Sequence, residues 1–344
     1  MKLLVLGANS QLGKELEALL ESQSVDYQSV DIHDVDLLKK QEVIKLISRS
    51  NPDQIINVAS YTNLLKAETD PEAANLCDVI NAQGVSILAE VCQQLDIPLI
   101  HQSTSYVFDG QKLRPYEEDE KTNPVSRYGQ SRWYGERSIR ETHDKHIILR
   151  TDWMFSRHRN RFFKAHIDAC KANKGKTEVM NHRFSPTPAE DVARVILAIA
   201  RQVDCAAEAW GTYHYSSLQP MSEEHFVETI LKEASEYDDE LAKLDDKFEI
   251  TINEVEPPYI PNTTVNSQKI METFGIKQRS RAAAVTYLLK SLYGKQQEEP
   301  ENNSREEKDT DKTVPEKAVS EKTAKSKNQN KKKPSNKKSP SKAG

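Results

Sequence analysis

The sequence predicts an α/β fold: a doubly wound parallel sheet, then a smaller mixed α/β lobe, then a charged tail. Three observations predict it. Short apolar runs alternate with stretches of helical spacing through residues 1–150. The first apolar run ends in a glycine turn directly before a helical stretch. From Gln296 onward the chain has no Phe, Trp, Tyr, Leu, Ile or Met. Strands alternating with helices imply parallel βαβ units, and right-handed crossovers place helices on both faces. A segment without large apolar residues cannot bury enough surface to offset its ordering entropy, so 296–344 is expected to be a disordered charged tail.

The elements follow in order. "KLLVL" (2–6) is a strand ended by Gly7, and helical periodicity runs from Gln11 through Leu12, Leu16, Leu19 and Leu20. "DYQSVD" (26–31) is a second strand ending in an acid, 41–49 a helix, and "DQIINVAS" (53–60) a buried strand. Residues 72–95 form one long helical pattern and 98–103 a strand. Residues 127–142 have helical spacing, and "HIILRT" (146–151) is a strand. Beyond Arg150 the pattern loosens into the smaller lobe. It has helical stretches near 159–173, 188–203 and 222–235, a strand at 211–217, and two closing helical stretches. The Ser and Glu pair opening 222–235 suits a helix N-terminus. The expected division is 1–150, 151–295 with some exchange of segments between the two, and the tail.

Composition narrows the function. The chain of 344 residues has formal net charge −5. Lysines concentrate after Glu321, so the tail is positive and the body more acidic than the total. An acidic body is a poor nucleic-acid binder, while the lysine-rich end can contact anionic surfaces weakly. Cys77, Cys92, Cys170 and Cys205 form no CxxC pair, and His158, His166 and His182 have no metal-ligand spacing, so no metal site is expected. The apolar run in "MKLLVLGANS" is too short for a signal-peptide core, and no run approaches the ~18 residues of a membrane span. The expected location is cytoplasmic.

Three motifs carry chemistry. "GANSQLG" (7–13) lies between a predicted strand and a predicted helix, where main-chain N–H groups and a helix N-terminus meet a pyrophosphate. Ser10 stands at the usual middle glycine. Asp31, at the end of the second strand, sits where a carboxylate would bond an adenosine ribose. This is the Rossmann-type pattern. "QSTSYVFDG" (102–110) places hydroxyls at the carboxyl end of a strand, where open α/β sheets hold ligands. Tyr128 and Arg132, four residues apart, share one helix face. A phenol with its ordinary pKa of about 10 transfers protons poorly at neutral pH, and a nearby cation favours the phenolate. Each motif alone also fits an ordinary turn, strand end or surface helix; their order in one chain points to a nicotinamide-dependent reductase.

With these residues in view, the chain resembles the dTDP-4-dehydrorhamnose reductase family, within the extended short-chain dehydrogenase/reductases, from Met1 to about Leu292. "LGANSQLGKEL", "LIHQSTSYVFDG" and "PYEEDEKTNPVSRYGQSRWYGE" are similar to its cofactor loop, hydroxyl motif and catalytic helix. The resemblance implies NADPH or NADH as cofactor and a sugar-nucleotide substrate, and it is compatible with a homodimer. It implies that Thr104 orients the sugar C4 carbonyl, that Tyr128 donates the proton, and that Arg132 stands where a lysine binds nicotinamide ribose. Gly7, Ser10, Gln11, Leu12 and Gly13 would line the pyrophosphate, and Asp31, Asp36 and Leu37 the adenosine. Ala59 and Tyr61 would lie near the nicotinamide. Tyr106 and Trp153, with Thr104 and Tyr128, would meet the sugar nucleotide.

The sequence departs from the family at Ser10, Leu65, Ser105 and Arg132, in "RFSPT", and in the absence of an arginine before Pro261. Two functions follow: reduction of a 4-keto sugar nucleotide in deoxysugar or surface-polysaccharide synthesis, or a non-catalytic cofactor-binding or regulatory subunit. The regulatory β subunit of methionine adenosyltransferase resembles the same family.

Overall fold

The computed structural model describes residues 1–31 and 34–294; the expected disorder of 296–344 lies outside the described residues. Five strands, β1 (Lys2–Leu6), β2 (Asp26–Val30), β3 (Gln54–Asn57), β4 (Leu99–Thr104) and β5 (His146–Thr151), join Gly211–Tyr215 in a six-stranded sheet. Its order is Gly211–Tyr215, β5, β4, β3, β1, β2, and every pairing is parallel. The chain runs outward from β1 to β2, then returns across β1 to β3. That reversal puts the topological switch point between β1 and β3, where ligands of such sheets sit at the carboxyl ends.

Alternation along the strands builds two layers of core. Leu3, Val5, Ile56, Ile100, Ile147 and Leu149 pack on one face against Leu12, Leu16 and Leu20 of α1 (Gln11–Ser22) and the helix Ala189–Asp204. Leu4, Leu6, Ile55, Leu99 and Ile148 pack on the other against α2 (Lys40–Ser50) and α5 (Gly84–Leu95). Between them in sequence lie α3 (Leu64–Thr69) and α4 (Pro71–Asp78). The second half of the chain thus gives the sheet both its edge strand at 211–215 and a covering helix. Other residues of that half form a separate aromatic core around Phe155, Phe163, Phe184 and Phe226, while Ile270, Phe274 and Ile276 join the sheet core.

The long helical pattern at 72–95 is helical throughout, with its regular turns interrupted once. A π-helical turn at Val79–Gln83 separates α4 from α5. Asn81 in that turn is fully buried, and its amide bonds the main chain of Tyr61 in both directions, at 2.9 and 3.0 Å. Satisfying a buried amide from a neighbouring loop explains why the helix widens there. α6 (Arg127–Thr142) spans the stretch read as helical from its sequence.

Candidate active site

The glycine turn is built by backbone geometry. Gly7 has φ +97°, and a Cβ there would stand 2.5 Å from the Ala59 nitrogen, so only glycine fits between β1 and β3. Ser10 is the N-cap of α1, its hydroxyl accepting from Gly13 N–H at 2.9 Å. The Asp31 carboxylate accepts the Asn9 N–H at 3.0 Å. The N–H groups of Gln11 and Leu12 take part in none of these bonds and stand at the N-terminus of a twelve-residue helix. Those two donors fit a phosphate group.

A shallow recess beside this turn is lined by Leu6, Gly7, Val30, Asp31, Val35, Leu37 and Ala59. It brings together Gly7, Asp31, Leu37 and Ala59. Asp36 lies outside that lining, paired with Lys39 at 3.3 Å. The Gln11 side chain turns toward the second half and donates to the Met154 carbonyl at 3.3 Å. Tyr61 is held by Asn81 as described. The turn, the amides at the helix N-terminus and the apolar recess with a carboxylate at its edge fit a dinucleotide.

Thr104 ends β4, paired in register with Thr151, and its hydroxyl accepts the Tyr106 N–H at 3.2 Å. Ser126 caps α6, accepting from Gly129 N–H at 3.0 Å. The Tyr106 and Tyr128 rings meet edge to face with centroids 5.9 Å apart. The structure therefore gathers Thr104, Tyr106 and Tyr128 at the same carboxyl edge of the sheet as the recess. Trp153, two residues past Thr151, is partly exposed and packs on Phe162 at 4.9 Å.

Arg132 is 0% exposed. Its Nη2 donates to the Gln102 main-chain oxygen, while Nε and Nη1 have no partner among the described residues. Burial pulls its pKa below the ordinary arginine value, and Tyr128, Glu136 and Cys77 oppose that pull. The guanidinium is thus turned onto the main chain of β4, a reach the longer forked side chain permits.

Sequence reasoning missed four buried groups here. Asn81 bonds Ser131 Oγ at 3.0 Å, tying the π-turn to α6. Glu136 follows Tyr128 and Arg132 on the same helix face and is fully buried. Burial raises its pKa, but Arg150, Arg140 and the Ser103 hydroxyl outweigh burial and hold it at about 2. Arg150 is its main partner, at 2.7 Å. Asp152 is buried beside Tyr106; burial pushes its pKa up to about 6, against the Thr263 hydroxyl, His182 and the Ser185 and Trp153 amides. The available signals were a charge inside the apolar run "HIILRT" and an acid eight residues past Tyr128.

Among the described residues no cluster of three or more His, Cys, Asp or Glu could hold a metal, and no helix is long and apolar enough to cross a membrane.

Comparison with known proteins agrees with this architecture. A dTDP-4-dehydrorhamnose reductase of Sinorhizobium fredii is 32% identical over 281 residues, covering 80% of this chain and 93% of that protein. A dTDP-4-keto-6-deoxy-D-glucose reductase of Streptomyces niveus is 33% identical over 215 residues, covering 62% and 72%. The crystal structure of a dTDP-4-dehydrorhamnose reductase from Clostridium acetobutylicum superposes with TM-score 0.73 at 26% identity, over 85% of this chain and 99% of that one. The family profile described as the RmlD substrate binding domain matches residues 1–293, and the chain belongs to that family.

Proposed function

We propose that the chain is an NAD(P)H-dependent reductase of a 4-keto sugar nucleotide. The reading rests first on the convergence of Thr104, Tyr106 and Tyr128 at the sheet edge that also bears the glycine turn. The relatives named above, reductases of dTDP-linked 4-keto sugars, support the substrate class. Residues 1–150 would hold the cofactor, NADPH or NADH, and 151–295 most of the substrate. The setting proposed is deoxysugar or surface-polysaccharide synthesis in the cytoplasm.

The bound nicotinamide would supply a hydride to the sugar carbonyl carbon. The Thr104 hydroxyl would hold the carbonyl oxygen, and the Tyr128 hydroxyl would give it a proton. Gln11 and Leu12 N–H groups would bind the pyrophosphate, and Asp31 would face the adenosine ribose.

A second reading, a cofactor-binding subunit without turnover, draws on one observation: the Arg132 guanidinium is buried against β4. Nicotinamide fluorescence on titration, followed by turnover with a dTDP-4-keto-6-deoxysugar, separates the two. Tyr128→Phe removes only the transferable proton, so it should cut kcat steeply and leave cofactor affinity unchanged. Binding without turnover in the wild type would favour the second reading.

A further inference from the structure

Glu136 lies two turns beyond Tyr128 on the inner face of α6, about 12 Å along the axis at ~1.5 Å per residue. Its carboxylate makes four bonds. Oε1 accepts from Ser103 Oγ at 2.6 Å and from Arg150 Nε at 2.9 Å. Oε2 accepts from Arg150 Nη2 at 2.7 Å and from Arg140 Nη1 at 2.9 Å. Ser103 and Arg150 are register partners across β4 and β5, and the next rung is Thr104 with Thr151. One carboxylate therefore grips both strands a single rung before Thr104.

We propose that Glu136 is a positioning residue for the proposed reduction, setting α6 along the sheet so that Tyr128 meets the atom Thr104 holds. This inference rests on the reductase reading. The helix has a second anchor near its N-terminus, where Gly129 abuts the Tyr106 carbonyl. Ser131 and Arg132 tie the middle of the helix to the π-turn and to β4, and Glu136 holds the stretch beyond them, which sets the direction of α6 along the sheet. The Glu136 anchor also continues outward. Arg150 Nη1 meets His214 Nε2 at 3.3 Å, and its guanidinium lies over Phe108 at 5.2 Å. His214 Nδ1 meets the Tyr116 carbonyl at 3.1 Å, and Tyr116 N–H donates to the Thr264 carbonyl at 2.9 Å. The path joins the helix of Tyr128 to a segment of the second half of the chain.

Glu136→Asp keeps the charge and shortens the reach by one methylene, so the strands keep their partner only if α6 shifts. A misplacement near 1 Å costs roughly 10²-fold in rate. The expected result is a kcat lowered by about 10- to 100-fold, with KM for cofactor and sugar nucleotide within about twofold. A crystal structure of the variant should show α6 displaced toward β4. Glu136→Gln with Arg150→Met replaces the buried ion pair by neutral groups and leaves only Arg140, which is partly exposed to solvent, without its carboxylate. That double variant should fold and still show the low kcat. Wild-type kcat in either folded variant overturns the positioning role. So does failure of both to fold, since Glu136 would then be a stability residue alone. If the wild type turns over no 4-keto sugar nucleotide, the reductase reading fails, and the helix displacement alone decides whether Glu136 positions α6.

Discussion

Gly129 faces the main-chain oxygen of Tyr106 so closely that a Cβ there would stand 2.2 Å from it. The first turn of α6, which bears Tyr128, is thereby seated on the loop that follows Thr104. The obstacle is backbone, not the end of a flexible side chain, so Gly129→Ala must push the helix outward. Overpacking of this kind costs about 1–3 kcal/mol. The expected outcome is that loss of stability in a denaturant titration, together with a kcat reduced about tenfold or more in the folded variant. An alanine variant with wild-type stability and kcat would mean that this close approach does not position Tyr128.

Arg132→Lys should raise turnover. The arginine bonds the Gln102 carbonyl and leaves two buried donors without partners among the described residues. Each unsatisfied buried donor costs about 1–3 kcal/mol. Lysine is shorter and presents a compact charge with no Nε or Nη1 donor to leave unpaired. Steady-state kinetics at saturating cofactor would measure the gain. A fall in kcat would show instead that the pocket is shaped for arginine.

The sheet and α6 are legible in the sequence because burial on both faces makes parallel strands apolar runs, and because 127–142 keeps helical spacing throughout. The small strands at Lys176–Met180 and Glu249–Asn253 are not, since the first buries only two of its five residues and the second buries none, so both also read as loops. The π-turn at Asn81 is invisible because its cause is the distant Tyr61 main chain. The motifs single out Thr104 by its place at a strand end and Tyr128 by its spacing from Arg132. Spacing does not reveal that the Ser10 hydroxyl bonds within its own loop, or that Arg132 turns to β4. Both depend on where a side chain finds its partner after folding.

Ser10→Gly should tighten cofactor binding. The Ser10 hydroxyl now accepts the Gly13 N–H, one of the donors a pyrophosphate would otherwise meet. Glycine is itself a tolerated N-cap, so the exchange costs only a few tenths of a kcal/mol in helix stability. A freed N–H bonding a charged phosphate is worth about 1.5 kcal/mol or more. Nicotinamide fluorescence should therefore show a Kd lowered about tenfold. A weaker Kd would make the serine hydroxyl itself a phosphate contact.

Asp152 gives the protein a pH-dependent weakness whose sign is fixed. Burial pushes its pKa up to about 6, above the ordinary value of 3.8. The folded state then holds this proton more tightly than the unfolded chain does. The resulting stability is fully present below the unfolded pKa and is lost as pH rises through about 6. Asp152→Asn cannot ionise, so its unfolding free energy lacks this term. Asparagine also supplies only one acceptor for the Trp153 and Ser185 N–H groups that the carboxylate serves, a loss that does not vary with pH. The useful quantity is accordingly the change in the difference between variant and wild type. From about pH 4.5 to about pH 7.5 that difference should move in favour of the variant by about 2 kcal/mol. Urea unfolding at the two pH values measures it. A difference independent of pH would show that Asp152 ionises in the folded protein as it does in the unfolded chain, which requires a cation or water beside it that offsets its burial.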